Sequence, residues 1–292
     1  MDKMLRKKST IALFVLPAIV IFAVFIPIPL VASLCLSLVK WDLINPIQFI
    51  GLDNFITLFT NDDVFLQSIG NTLEYLGLSV LFQIPLAFLL AVMVTRGKRF
   101  EKFFRNTLFI PVTLSGTAVS LMFYFVYHPE TGILNNIIRL FGYPDFQRAW
   151  LGDEHTAMLA VCLAVAWQFV GYHMVIFITG ITSINEDVIE AAKIDGANML
   201  QIIGRIILPL MKPVIKVSMV LITTSSLKAF DSVFVMTSGG PMHATEVMAS
   251  HMYTKSFLQL QYGYGSAIGV VLFILCVACS GIISRLLRTE DD

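Results

Sequence analysis

Glu190-Ala191-Ala192-Lys193-Ile194-Asp195-Gly196, followed ten residues later by Ile206-Ile207-Leu208-Pro209, carries the strongest chemical signal in the chain. The chemistry it suggests is docking rather than catalysis. Ser183 and Glu186 stand at capping-box spacing. Asn185 is an equally good cap, and it would place Glu186 and Asp187 in a first turn where the helix dipole favours acids. A helix is expected from about Asp187 to Leu200. On it Ala192 and Gly196 would be i,i+4 neighbours with almost no side chain, letting a partner's backbone or a large side chain approach closely. Pro209 and Pro213 then redirect the chain. An amphipathic helix lying on lipid would instead show a Leu/Phe/Trp stripe flanked by Lys. A face of Ala, Gly, Asp and Glu fits a groove in a soluble partner better.

Other reactive groups point to no enzyme chemistry. Cys35, Cys162, Cys276 and Cys279 all fall in apolar runs. Cys276 and Cys279 make a C-x-x-C, but no second pair or nearby histidine completes a zinc site. His128, His155, His173, His243 and His251 show no ligand spacing, so no metal is expected. The chain has no G-x-x-x-x-G-K-[ST] phosphate loop and so is not expected to hydrolyse ATP itself.

The elements that must position the docking segment are membrane spans. Hydrophobic residues make up 57% of the chain and charged residues 14%, against about 25% charged in soluble domains; mean hydropathy is +0.79. With zero net charge, nothing suggests a nucleic-acid partner. Six apolar runs stand out: approximately Ile11–Val39, Thr72–Thr95, Leu108–Tyr127, Thr156–Ile181, Val214–Met236 and Gly265–Leu287. Each approaches or exceeds the ~20 residues a helix needs to cross hydrocarbon. A β-barrel would need alternating strands of about ten residues instead. The expected fold is therefore all-α, integral to the membrane, with six transmembrane helices and the docking helix between spans four and five. Residues 1–292 read as one membrane domain, with the docking loop at about 183–213.

Lys and Arg set the expected orientation. With a cytoplasmic N-terminus, the inside holds Lys3, Arg6, Lys7 and Lys8; Arg96, Lys98, Arg99, Lys102 and Arg105; Lys193, Arg205, Lys212 and Lys216; and Arg285 and Arg288. That is fifteen of the twenty basic residues, a strong positive-inside bias. Both termini and the Glu190 loop are thus expected in the cytoplasm. The first run far exceeds the 7–15 residues of a signal-peptide core, so it reads as a retained span. Pro17, Pro27 and Pro29 predict kinks in it. Trp41, Phe49, Phe55, Phe59 and Trp150 suit an aromatic belt at the outer surface. No inverted duplication of broken helices is visible.

The E-A-A, three residues, Gly, nine residues, I-x-L-P pattern resembles the coupling loop of the membrane subunits of bacterial ABC importers. It matches at Glu190, Ala191, Ala192, Gly196, Ile206, Leu208 and Pro209, and Asp195 lies within it. Phe49-Ile50-Gly51-Leu52-Asp53-Asn54-Phe55 with Asn71-Thr72, and Ser238-Gly239-Gly240-Pro241 with Ala244-Thr245-Glu246, look like the first and last external loops of carbohydrate-type permeases. Alone, Gly-Gly-Pro is only a tight turn. Together these stretches resemble the permease family that includes maltose and glycerol-3-phosphate importers.

The resemblance implies a bacterial inner-membrane protein and a larger machine. Expected partners are a second, homologous permease, two ATPase subunits that bind ATP and Mg, and a periplasmic or extracellular solute-binding protein that contacts Gly239, Gly240 and Pro241. No cofactor is expected in this chain. The resemblance also puts a transient sugar site on the spans flanking the coupling loop. There Trp167, Gln168, Tyr172, Ser225 and Ser226 are the candidates, with His173 beside them; aromatic faces and hydroxyl-matching polar groups suit a carbohydrate. Helix–helix bonding would equally account for Gln and Ser in spans. Lys228 and Asp231, at i,i+3, are expected to pair near the outer surface. A permease for glycerol-3-phosphate or another polar solute is the alternative. An ion-coupled transporter needs intramembrane carboxylates, and only Glu74 and Asp231 qualify.

Overall fold

The computed structural model describes residues 8–97 and 101–287. Lys3, Arg6, Lys7, Lys98, Arg99 and Arg288 of the charge pattern lie outside them. Along the chain run α1 (Lys8–Phe25), α2 (Pro27–Ser37), β1 (Val39–Lys40), β2 (Gln48–Phe49), α3 (Asp53–Thr60), α4 (Asp63–Arg96), α5 (Glu101–Phe109) and α6 (Gly116–Val126). Then follow α7 (Ile133–Leu140), α8 (Glu154–Thr182), α9 (Glu186–Ile194), α10 (Met199–Ile202), α11 (Leu208–Leu210) and α12 (Lys212–Leu227). The last are α13 (Asp231–Met236), α14 (Met248–Tyr253) and α15 (Tyr262–Leu286).

The chain divides into two compact units, Met1–Asp62 with Met252–Val271, and Asp63–His251 with Leu272–Asp292. In the first, the helical path breaks at Ile26, just before Pro27, while Pro17 lies inside the unbroken α1. β1 and β2 pair antiparallel with Val39 opposite Phe49. Asn54 holds this turn by donating from Nδ2 to the Ser37 and Val39 carbonyls at 2.8 and 3.1 Å. The Tyr264 hydroxyl donates to Asp62 Oδ2 at 2.7 Å, and Lys255 stands 3.9 Å from the same oxygen.

In the second unit α8 is the central element and packs most extensively on α4. Asp153 caps it, accepting from the His155 amide at 3.0 Å. That bond and Arg148 hold the Asp153 carboxyl below the ordinary carboxylate range. At 1.5 Å per residue its 29 residues span about 43 Å, more than the ~30 Å of hydrocarbon. Between helices in lipid there is no hydrophobic driving force, so close packing must hold them. Ala157, Ala160, Ala164 and Gly171 let neighbours come near, and a Cβ on Gly171 would overlap the Leu108 carbonyl oxygen.

Two apolar clusters form along α8. One gathers Tyr75, Tyr127, Met158, Val161, Val233 and Met236 near its N-terminal half. The other gathers Ala87, Val170, Met174, Phe177, Ile202 and Met211 near its C-terminal half.

Among the described residues four helical stretches are long and apolar enough to span a membrane, and two bent pairs raise the number to six if each is one span. The third and fifth runs are therefore not single straight helices. The third turns through 96° between Glu101–Thr113 and Gly116–Val126. Pro111 ends α5 in a short 3₁₀ turn, Ile110–Thr113, and Leu114 is extended. A 67° bend between Met199–Leu210 and Lys212–Leu227 falls just ahead of the fifth run, which itself breaks between Leu227 and Asp231.

Candidate functional site

Both breaks open on one cavity of about 650 Å³. Its wall includes Val112, Leu114 and Gly116 from the third-run break and Lys228 through Ser232 from the fifth. Exposed irregular backbone is tolerated at membrane depth only where protein buries it or a cavity receives it, and here both conditions are met. Gln168 on α8 donates from Nε2 to the Leu114 carbonyl at 3.1 Å, satisfying one acceptor that the broken helix leaves open. The cavity lies between the two apolar clusters, because α8 lines it with Val165, Gln168, Phe169, Tyr172 and His173 and builds the clusters on either side.

Most of its polar lining comes from α4, α8 and α12. Tyr75 and Gln83 stand two turns apart on α4, and the Tyr75 hydroxyl meets Ser232 Oγ at 3.2 Å. Gln168, Tyr172 and His173 come from α8; His173 Nδ1 meets Ser218 Oγ at 3.0 Å. Thr224, Ser225 and Ser226 come from α12, with Thr224 and Ser225 bonded back to their own helix. Phe169, Tyr172 and Phe230 present aromatic surface. Between Tyr75 and Gln83, Ser79 Oγ is buried without a hydrogen-bond partner.

Four of the five path residues expected from sequence, Gln168, Tyr172, Ser225 and Ser226, line this space. Trp167 instead packs edge-on against Phe123, with ring centroids 5.4 Å apart. Tyr75, Gln83 and Phe230 were missed. The first two sit on the second run, where nothing in the local pattern marks them. Lys228 and Asp231 make no ion pair with each other among the described residues. The i,i+3 geometry expected of them needs a continuous helix, and the chain is not helical at 228–230. Both side chains line the cavity.

The docking segment differs from the expected single helix over about Asp187–Leu200. α9 starts at Asn185, whose Oδ1 accepts from the Asp187 amide at 3.0 Å, and stops at Ile194. Gly196 has φ +81°. The Ala197 amide donates to the Ala192 carbonyl at 2.9 Å and the Gly196 amide to Lys193 at 3.1 Å, the paired bonds of a left-handed glycine cap. Asn198 and Gln201 then form a reciprocal capping box that starts α10.

Glycine is needed at 196 for its backbone, and a Cβ there would meet nothing within 4 Å. Ala192 is half-buried with Ile189 against the inner cluster, the one at the C-terminal half of α8, so its small side chain serves packing onto its own domain. Facing outward are Glu186, Asp187, Val188, Glu190, Ala191, Lys193, Asp195 and Ile194, the last 85% exposed. Beyond α10, a π turn at Ile203–Ile207 absorbs Pro209, whose ring would clash with the Arg205 carbonyl in a regular helix. Ile206 is half-buried; Leu208 and Pro209 are exposed.

At the end of the molecule remote from this segment along α8, the Gly239–Pro241 turn is a frame. Gly239 is buried with φ +84°, and a Cβ there would overlap the Glu246 carboxylate. Thr245 Oγ1 donates to the Gly240 carbonyl at 2.8 Å. Asn71 Nδ2 donates to the His243 and Glu246 carbonyls at 2.8 and 2.9 Å, tying the loop to α4. The exposed crest is Met242, 79% exposed, and His243.

Interrupted apolar helices around a polar cavity, with an acidic helix projecting beyond them, define a membrane transport subunit. The chain belongs to the family of binding-protein-dependent transport system inner membrane components, which it matches over residues 83–289. It is 36% identical to the probable ABC transporter permease protein YurN of Bacillus subtilis, over 96% of each chain. It is 32% identical to the diacetylchitobiose uptake system permease protein NgcF of Streptomyces coelicolor, over 86% of this chain and 74% of that one. Among solved structures it is similar to the bacterial alginate ABC transporter in complex with an alginate pentasaccharide-bound periplasmic protein. There the TM-score is 0.84 at 25% identity, over 98% of this chain and 96% of that one. It is thus a multi-pass inner-membrane permease component.

Proposed function

We propose that this chain forms half of the translocation path for a sugar or oligosaccharide in an ABC importer, and that segment 183–213 couples the path to separate ATPase subunits. The observation that carries this reading is the cavity between the apolar clusters. It falls within the ~300–1,000 Å³ of small-molecule sites. Its amides, hydroxyls and aromatic faces match a carbohydrate's hydroxyls and C–H faces. The relatives named for diacetylchitobiose and alginate support the cargo class. Glycerol-3-phosphate fits less well, since Lys228 shares its stretch of wall with Asp231.

In this reading 1–292 is one transmembrane domain crossing six times, counting each bent pair as one span. The Lys and Arg distribution supports cytoplasmic termini and a cytoplasmic coupling segment. Glu190, Ala191, Asp195 and Gly196, with Leu208 and Pro209, then form the surface that an ATPase groove receives, while Ala192 and Ile206 anchor it. A second permease completes the cavity. The binding protein docks on the crest that Gly239, Gly240 and Pro241 hold up. ATP and Mg bind the ATPase subunits and not this chain.

The test uses the assembled complex in proteoliposomes with its binding protein. Glycan-stimulated ATPase is compared between wild type and Glu190→Ala with Ala191→Trp, both exposed positions. Loss of the ATPase subunits from a complex whose permeases still assemble supports the coupling surface; retained, coupled ATPase activity refutes it. Stimulation by glycerol phosphate but by no glycan would keep the machine and overturn the cargo.

A further inference from the structure

The second span carries a group that neither the coupling segment nor the fourth and fifth spans explain. Gln83 is 3% exposed and lines the cavity, yet its side-chain amide meets no hydrogen-bond partner among the described residues. A primary amide offers two donors and one acceptor, and those of Gln83 are left accessible on the cavity side. Several other polar groups of the wall are committed to protein partners: Gln168 to the Leu114 carbonyl, Tyr75 to Ser232, His173 to Ser218, Ser225 to its own helix. Gln83 is held apart from these uses. It stands on α4 beside Ile84 and Ala87, which join the inner cluster, so packing on the next turn fixes its height.

Resting on the sugar reading above, we infer that Gln83 is a cargo-reading residue. Its amide hydrogen-bonds one hydroxyl of the glycan as it passes, so that the second span, and not only the spans beside the coupling loop, sets specificity. Donor and acceptor on one planar group suit adjacent hydroxyls, each of which both gives and takes a hydrogen bond.

The experiment is a cycle between residue and cargo. Wild-type and Gln83→Leu complexes in proteoliposomes are supplied with the same binding protein, loaded with maltose or diacetylchitobiose, whichever wild type imports. Analogues of that sugar with single hydroxyls replaced by hydrogen follow. The binding protein's own preferences cancel, because it is common to both arms. At one hydroxyl position the wild type is expected to lose about twofold to tenfold in uptake, the worth of one neutral hydrogen bond. That loss should vanish in Gln83→Leu. A merely structural glutamine would slow every analogue alike and leave the ratios unchanged, which overturns the inference. If Gln83→Leu fails to assemble, Gln83→Asn, which keeps the amide one methylene shorter, replaces it under the same criterion. Import of neither sugar nor of alginate pentasaccharide by wild type would overturn the cargo reading, and this inference with it.

Discussion

Replacing Gly196 separates two explanations of the coupling motif's glycine. If the residue is needed so that a partner can approach, the smallest substitution is tolerated best and Ala should outperform Asn. If it is needed for its left-handed backbone, the order reverses, because Asn tolerates positive φ far better than Ala. The structure favours the second. Gly196 has φ +81°, and a Cβ would meet no heavy atom within 4 Å, so the penalty is conformational without a steric part. For Ala that penalty is about 1–2 kcal/mol, a factor of roughly 5–30 in the closed-to-open ratio of the cap. It falls on the bonds from Ala197 to Ala192 and from Gly196 to Lys193. Amide hydrogen exchange over residues 193–201 of the assembled complex should therefore quicken by that factor in Gly196→Ala. The increase should be smaller in Gly196→Asn, and exchange in α8 should not change. ATP-driven uptake should rank Gly, Asn, Ala. Uptake or exchange in which Ala outperforms Asn would refute the reasoning and return the glycine to a contact role.

Asn71→Ala removes both hydrogen bonds that tie the 238–246 loop to α4; the His243 carbonyl keeps the Glu246 amide, while the Glu246 carbonyl loses its Asn71 donor. It should cost about 1–3 kcal/mol locally, read as protease cleavage confined to that loop, with weakened stimulation by the binding protein. Gly171→Ala should be far more damaging than Gly70→Ala, whose added Cβ meets nothing within 4 Å. The Cβ at 171 would overlap the Leu108 carbonyl, and backbone cannot swing aside as a side chain can. Thermal stability of the detergent-purified complex checks the pair, and equal midpoints would deny the close approach of α8 to the third-run break.

Some of this protein could be read along the chain because the physics is local. Hydrocarbon demands apolar helix, so four of the six runs coincide with helices long and apolar enough to span a membrane, and the other two fall in bent pairs. Asn185 caps α9 as its type and position predict. Gly196 and Pro209 stood out as motif residues before their backbone roles were visible. Other features depend on atoms distant in sequence. The breaks at Leu114 and at 228–230 persist because a cavity and the Gln168 amide receive the freed backbone, and no window of either run contains that partner. Gln83 looks like any glutamine in an oily helix until α8, α12 and the two breaks enclose it. Ala192 faces inward and Ala191 outward, which follows from how α9 lies on the inner cluster. The choice of which small or polar side chain meets a partner, a cargo or its own fold is made by packing across the bundle, and that is tertiary information.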